Sequence, residues 1–307
     1  MKKTVDRDYI KIAAIDIGSN AVKYKQYRLK HTSLRGHPIE LDTFSRISIR
    51  LATDVLELGE ISEKTSSKLI HELKRIIKKA KKRKVEWIGI CATSAMRGAK
   101  NSAEVCNLIE ETTDIKVNVI SGIQEAYYLK YTNLSCIESK PTCPLIVDVG
   151  GGSTEVLVNS DEVLFDSFDL GAVRCLENKD YRVEWDRLYE WLEKVNHLPV
   201  EMLVGIGGNI RSLMKLLNKK KGYPVDKQEL KNLLIELEKL SIEEKINQLG
   251  LAEDRADVIV PAGKIFLEIL DKTSINSVCA LEWSLSDAIA FDYYLNNIEL
   301  FYDYKIA

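Results

Sequence analysis

At 307 residues and 45% hydrophobic content, the chain is long enough to bury two cores. Its 44 Lys and Arg against 46 Asp and Glu leave a formal net charge of −2, which excludes a surface built throughout to hold a polyanion and confines any phosphate binding to a local site. The six cysteines (Cys91, Cys106, Cys136, Cys143, Cys175, Cys279) form no CxxC pair and have no zinc spacing with the four histidines, so they read as small buried apolar residues of a reducing compartment.

The N-terminal stretch MKKTVDRDYI is charged and lacks the apolar run of a signal peptide. No later segment approaches the roughly 20 apolar residues of a membrane span, so a soluble, cytoplasmic protein without a membrane partner is expected. Lys11–Asn20 (KIAAIDIGSN) is an apolar run ending in Asp16 and a Gly-containing turn, and Val22–Tyr27 then alternates. This is the pattern of a β-hairpin with the turn at its tip. Helical spacing follows over Glu63–Lys84, a strand over Trp87–Ala92, a helix over Ala103–Glu111, a strand over Val117–Ile120 and a helix from about Gln124 to Tyr131. Pro144–Ser153 (PLIVDVGGGS) with the alternation from Thr154 then repeats the first hairpin, about one domain length later. Beyond it the spacing predicts a strand over Val163–Phe168, a helix over Trp185–Val195, a strand over Met202–Ile206 and a helix over Asn209–Leu217. Helical patterns over Lys227–Leu240, Ile242–Leu249 and Ala256–Leu270 precede a strand near Val278–Leu281 and a last helix from about Leu285. The interleaving predicts α/β layers, and the repeated hairpin predicts duplicated domains with facing tips. The boundary is expected in the polar stretch Asn133–Lys140, giving domains of residues 1–132 and 133–307.

Asp148–Glu155 (DVGGGSTE) carries the most chemistry. Gly150, Gly151 and Gly152 leave their backbone N–H groups unscreened, so a phosphate can approach, and Ser153 and Thr154 add hydroxyl donors. Asp148 ends one strand and Glu155 sits across the turn in the next, where two hard carboxylates beside a phosphate would suit Mg²⁺. A Gly-rich turn with two solvated acids would carry the same letters. Gly18, Ser19 and Asn20 after Asp16 could form a second cradle, although an ordinary turn uses the same residues. Gly207 and Gly208 open a third strand-to-helix step, with Asn209 as its N-cap; it could receive an anion or simply make a tight connection. Arg97 follows a strand as a phosphate clamp or a plain surface residue, and Glu125 lies in a first helical turn, where acids commonly complement the dipole. Lys74–Lys84 holds eight basic residues in eleven, readable as the solvated face of an amphipathic helix or as a track for polyphosphate or an acidic partner. Lys219–Lys221 admits the same two readings.

In their order these segments resemble the Ppx/GppA family of exopolyphosphatases and guanosine pentaphosphate phosphohydrolases. The resemblance runs through Asp16–Asn20, Ala92–Asn101, Ile120–Ala126, Asp148–Glu155, Leu170–Arg174, Gly205–Asn209 and Arg255–Pro261, nearly the whole chain. It implies two duplicated ribonuclease H-like α/β domains of the actin/hexokinase/Hsp70 (ASKHA) superfold around an interdomain cleft. Glu125 would activate water, Arg97 would grip the terminal phosphate, and Asp148 and Glu155 would hold Mg²⁺. Asp16, Gly18, Ser19, Asn20, Gly150, Gly151, Gly152, Ser153, Thr154, Gly207 and Gly208 would cradle the neighbouring phosphates. The implied activity is Mg-dependent hydrolysis of the terminal phosphate of inorganic polyphosphate. The alternatives are a guanosine pentaphosphate (pppGpp) 5′-phosphohydrolase, a non-catalytic sensor of polyphosphate or a guanosine penta- or tetraphosphate, and a kinase of the same superfold. No nucleic-acid partner is expected, and a homodimer is compatible with the resemblance. Three departures stand out: Gln124 where many members have Glu, Asn209 ending the third Gly loop, and Ser284–Ala288 where the family often shows Gly-Leu-Arg-Glu-Gly.

Overall fold

The computed structural model describes residues 9–30, 38–160 and 162–297. Two sheets form its frame, and each begins with the same three-stranded meander. In the first, β1 (Tyr9–Ile17) pairs antiparallel with β2 (Ala21–Lys30), and β2 with β3 (Ile39–Ser48). On the other side of β1 lie β4 (Trp87–Ala92) and then β5 (Val117–Val119), both parallel to it, giving the order β3-β2-β1-β4-β5. The second sheet repeats this plan. β6 (Pro144–Val149), β7 (Thr154–Asn159) and β8 (Val163–Phe168) form the meander; β9 (Met202–Ile206) and β11 (Ser277–Ala280) continue in parallel, and β10 (Val225–Asp226) closes the edge. The order is β10-β11-β9-β6-β7-β8. The two hairpins singled out in the sequence are therefore β1-β2 and β6-β7, and the duplication is structural.

The central strands β1 and β6 are the most apolar because helices cover both faces of the sheets: Ile12 to Ile15 and Leu145 to Val147 are buried. Helix Glu63–Lys82 packs Leu69, Leu73, Ile76, Ile77 and Ala80 into the core, with Ser62 capping its start. Helix Ile259–Asp271 buries Ala262, Ile265, Phe266 and Ile269 in the second half. The last helix, Leu285–Asn296, crosses back to the first sheet. Its Leu285, Ile289 and Ala290 join Ile12, Ala14, Tyr27 and Leu29, and Trp87 stacks on Tyr293 at 4.1 Å.

Several sequence expectations needed adjustment. Strand β3 and helix Leu51–Leu58 were not anticipated. The helix expected from Gln124 begins at Gly122 and tightens into a 3-10 turn at Leu129–Tyr131. The helix expected from Asn209 begins at Gly207 with Ile206 before it, so Asn209 lies in the first turn rather than at the cap. All six cysteines are free; Cys91, Cys143 and Cys279 are buried as expected, but Cys136 is exposed. No helix among the described residues is long and apolar enough to cross a membrane.

Candidate active site

The tips of the two hairpins meet. Each turn is closed by the same bond: Gly18 N donates to Ala21 O at 3.1 Å, and Gly150 N donates to Ser153 O at 2.9 Å. A Cβ placed on Gly152 would stand 2.7 Å from Ser19 Oγ and 2.6 Å from Ser94 Oγ, so only glycine lets the loops approach this closely. The carbonyls of Gly150 and Gly151 accept from Ala172 N and Val173 N at 3.0 and 2.8 Å, and Arg174 Nε holds Gly152 O at 2.6 Å. With the loop oxygens held from behind, the N–H groups of Ser19, Gly151 and Gly152 donate to no group among the described residues.

Between the tips lies a cavity of roughly 70 Å³ lined by Asp16, Gly18, Ser19, Asn20, Lys23, Arg46, Thr93, Glu125, Asp148, Gly150 to Ser153, Glu155, Gly208, Asn209 and Arg255. Most of the residues expected to bind phosphate or metal converge here. Three stand elsewhere. Thr154 gives its hydroxyl to Leu170 O at 2.5 Å. Gly207, at φ +83°, packs on Asp148 so closely that a Cβ would fall 2.3 Å from Oδ1. Arg97 sits behind Glu125, donating through Nη1 to Glu125 Oε2 at 2.9 Å and to Ile120 O at 3.0 Å.

Glu125 owes its place to a capping box. Ser121 Oγ accepts from Gln124 N at 3.1 Å, and Gln124 Oε1 accepts from Ser121 N at 2.9 Å. The Gln124 that departs from the family pattern thus anchors the turn presenting Glu125. Burial pushes the Glu125 carboxyl up to about 7 against the pull of the Arg97 guanidinium, with Asp16 and Asp148 pushing the same way.

Register explains the remaining charges. Glu155 lies opposite Asp148 in β6-β7, and Lys23 lies opposite Asp16 in β1-β2. Burial raises the Glu155 carboxyl well above its ordinary value, and the charges of Glu125 and Asp148 add to this although Ser167 Oγ donates to Oε1 at 2.9 Å. Burial also raises Asp148, with Lys23 opposing. Lys23 pairs with Asp16 at 2.9 Å; burial works against its charge, but Asp16 and Asp148 outweigh it and raise its pKa. Two hard carboxylates facing each other with raised pKa values fit a divalent cation, which would relieve their repulsion. Among the described residues, no group of three or more His, Cys, Asp or Glu is placed to hold a metal ion.

Lys23, Arg46 and Arg255 are the cations the sequence reading missed. Lys23 had a signal: it follows Asp16 by the interval that separates Glu155 from Asp148. Arg255 opens a segment already noted, and it donates through Nη1 to Asn209 Oδ1; burial, then Arg46, lowers its pKa to about 10. Arg46 pairs with Asp254 at 2.5 Å, and its buried Nε has no partner among the described residues. Asn20 Nδ2 donates to Asp254 O at 2.7 Å, and Arg50 holds Asp257 at 2.5 and 2.9 Å, so the segment before helix Ile259–Asp271 is fastened to the β1-β2 turn and to the chain just after β3.

The profile of the Ppx/GppA phosphatase family matches residues 37–297. The chain belongs to this family. It is 21% identical over 299 residues to a Haemophilus influenzae protein provisionally named an exopolyphosphatase, covering 91% of this chain and 90% of that one. It is 24% identical to the guanosine-5′-triphosphate,3′-diphosphate pyrophosphatase of Photobacterium profundum, over 91% of this chain but 58% of the relative's length. The crystal structure of the Aquifex aeolicus Ppx/GppA family member superposes with a TM-score of 0.74 at 26% identity, covering 94% of this chain and 98% of that one. The fold, two sheets built on one repeated meander, is the one this family shares.

Proposed function

We propose that this Ppx/GppA family member is an exopolyphosphatase that removes the terminal phosphate of inorganic polyphosphate with Mg²⁺. The observation that carries this reading is the cavity itself, where Glu125, Asp148 and Glu155 stand together against Lys23, Arg46, Arg255 and two loops of free backbone N–H groups. Phosphoanhydride hydrolysis needs positioned water and charge neutralisation rather than covalent help from protein groups.

Glu125 has the reach and the raised proton affinity to orient a water and take its proton. Arg97 would then act on the base, keeping the carboxylate aimed into the cavity and opposing the effect of burial. Loop N–H groups and Lys23 would hold equatorial phosphate oxygens, and the partnerless Nε of Arg46 would receive the next phosphate. Asp148 and Glu155 would hold Mg²⁺, which would neutralise charge on the bridging and terminal oxygens.

A second reading, pppGpp 5′-phosphohydrolase, is favoured by one feature. Past Arg46, Gly208 and Arg255 the cavity adjoins a cleft of roughly 560 Å³ lined in part by Phe44, Arg211 and Lys215, large enough for a nucleoside. The test is phosphate release from medium-chain polyphosphate with Mg²⁺ and no acceptor, comparing the wild type with Glu125→Gln and adding pppGpp as competitor. Release by the wild type and a loss of roughly 10²–10⁴-fold in the variant are expected. Binding without release would leave a sensor, and release only from pppGpp would select the second reading.

A further inference from the structure

Helix Gly122–Tyr128 carries Glu125 and follows β5 of the first sheet, yet it is seated on β8, the edge strand of the second. At the start of the helix, a Cβ placed on Gly122 would stand 2.5 Å from Ser167 Oγ and 2.8 Å from Ser167 Cβ, so its backbone rests directly on that side chain. Near its end, the Tyr127 ring lies 5.4 Å from the Phe165 ring. Ser167 and Phe165 are two apart in β8 and share one face of the strand, so a single face receives both ends of the helix.

Ser167 also reaches the neighbouring strand. It lies opposite Glu155 in the β7-β8 register, and its hydroxyl donates to Glu155 Oε1 at 2.9 Å. Ser153 bonds the same carboxylate from within the Gly loop, whereas Ser167 bonds it from the strand on which the helix of Glu125 sits. The Cβ position of Gly122 is 3.5 Å from Arg97 Nη2, and Arg97 Nη1 holds Glu125 Oε2 at 2.9 Å. Glu155 and Glu125 are therefore linked through Ser167, Gly122 and Arg97, none of which lines the cavity.

We propose that Ser167 is a positioning residue that sets the spacing of Glu155 and Glu125, orienting the first through its hydroxyl and seating the helix of the second through Gly122. The inference rests on the hydrolase reading of the cavity and adds to it a residue that touches neither substrate nor cation. Partners that orient a metal-ligating carboxylate affect metal affinity and rate strongly, and a base displaced by about an ångström loses much of its effect.

Two variants disturb this one contact from opposite sides. Ser167→Ala removes the hydroxyl; Gly122→Ala keeps it but forces it aside, at a helical position where alanine is otherwise favourable. Each should lower kcat for phosphate release from medium-chain polyphosphate roughly tenfold and raise the half-saturating Mg²⁺ concentration by a similar factor, with KM for polyphosphate little changed. The double variant should be no worse than either single one, because both act on the same contact. Loss of folded protein alone would lower kcat and leave the Mg²⁺ requirement where it was. An unchanged Mg²⁺ requirement in both single variants, or losses that multiply in the double variant, would overturn the proposal. If the wild type releases no phosphate, the hydrolase reading fails, and Mn²⁺ titration followed by electron paramagnetic resonance decides the role of Ser167 separately. Mn²⁺ binding to Glu125→Gln that weakens roughly tenfold on adding Ser167→Ala supports it, and equal binding, or none to either protein, refutes it.

Discussion

The two hairpins that meet in the cleft share a strand plan, a turn-closing bond and an aspartate at the end of the first strand. They differ in the residue opposite that aspartate. In β1-β2 it is Lys23, which neutralises Asp16 at 2.9 Å; in β6-β7 it is Glu155, which faces Asp148 with like charge. One duplicated scaffold thus carries a self-neutralised tip and a charge-frustrated tip; on the function proposed above, the first would position phosphate and the second would hold the cation. Desolvated like charges of this kind commonly mark functional sites.

The largest effect should come from removing the frustration. Glu155→Gln should lower phosphate release by roughly a hundredfold or more through loss of the metal's charge stabilisation. It should at the same time raise the melting temperature measured in chelator, since a buried repelling carboxylate is gone. A variant both less active and less stable would break the comparison.

Lys23→Met should behave in the opposite sense. It leaves Asp16 buried without its cation, at a cost on the order of 2 kcal/mol in denaturant unfolding. Substrate affinity should fall about tenfold if Lys23 holds phosphate, with Mg²⁺ affinity little changed.

The smallest effect is a pH trend, and its two halves run in opposite directions. Glu125 acts as a base only when ionised, so the rate should drop as pH falls below about 7. Stability follows the other sign. A carboxyl whose pKa is raised in the folded state binds its proton more tightly there than in the unfolded chain, so the folded state gains as pH falls through about 7 and loses as pH rises through it. In chelator the melting temperature should therefore be a few degrees higher at pH 6 than at pH 8, and Mg²⁺ should stabilise more at pH 8. A flat profile would show that the three carboxylates are less desolvated than the packing implies.

Much of this was legible in the residues. The apolar runs before Asp16 and Asp148 marked the central strands because strands covered on both faces read as near-continuous hydrophobic segments. Strand β3 escaped notice because an edge strand alternates polar and apolar residues irregularly, as IELDTFSRIS does, with a register shift opposite Gln26 and Tyr27. The carboxylates of the cavity were legible as motif letters, but their partners were not. Nothing local places Arg97 behind Glu125 rather than in the cavity, because that depends on Ile120 O accepting from the same guanidinium. Thr154 looked like a phosphate donor until the fold supplied Leu170 O beside it. Arg46 carried no signal, since its role follows from β3 crossing the mouth of the cleft.

The most direct test of the division between the hairpins is the Mg²⁺ dependence of phosphate release at fixed polyphosphate, measured side by side for wild type, Glu155→Gln and Lys23→Met. The half-saturating Mg²⁺ concentration should rise roughly tenfold or more in Glu155→Gln and stay at the wild-type value in Lys23→Met. An equal shift in both variants, or a shift in Lys23→Met alone, would contradict the account.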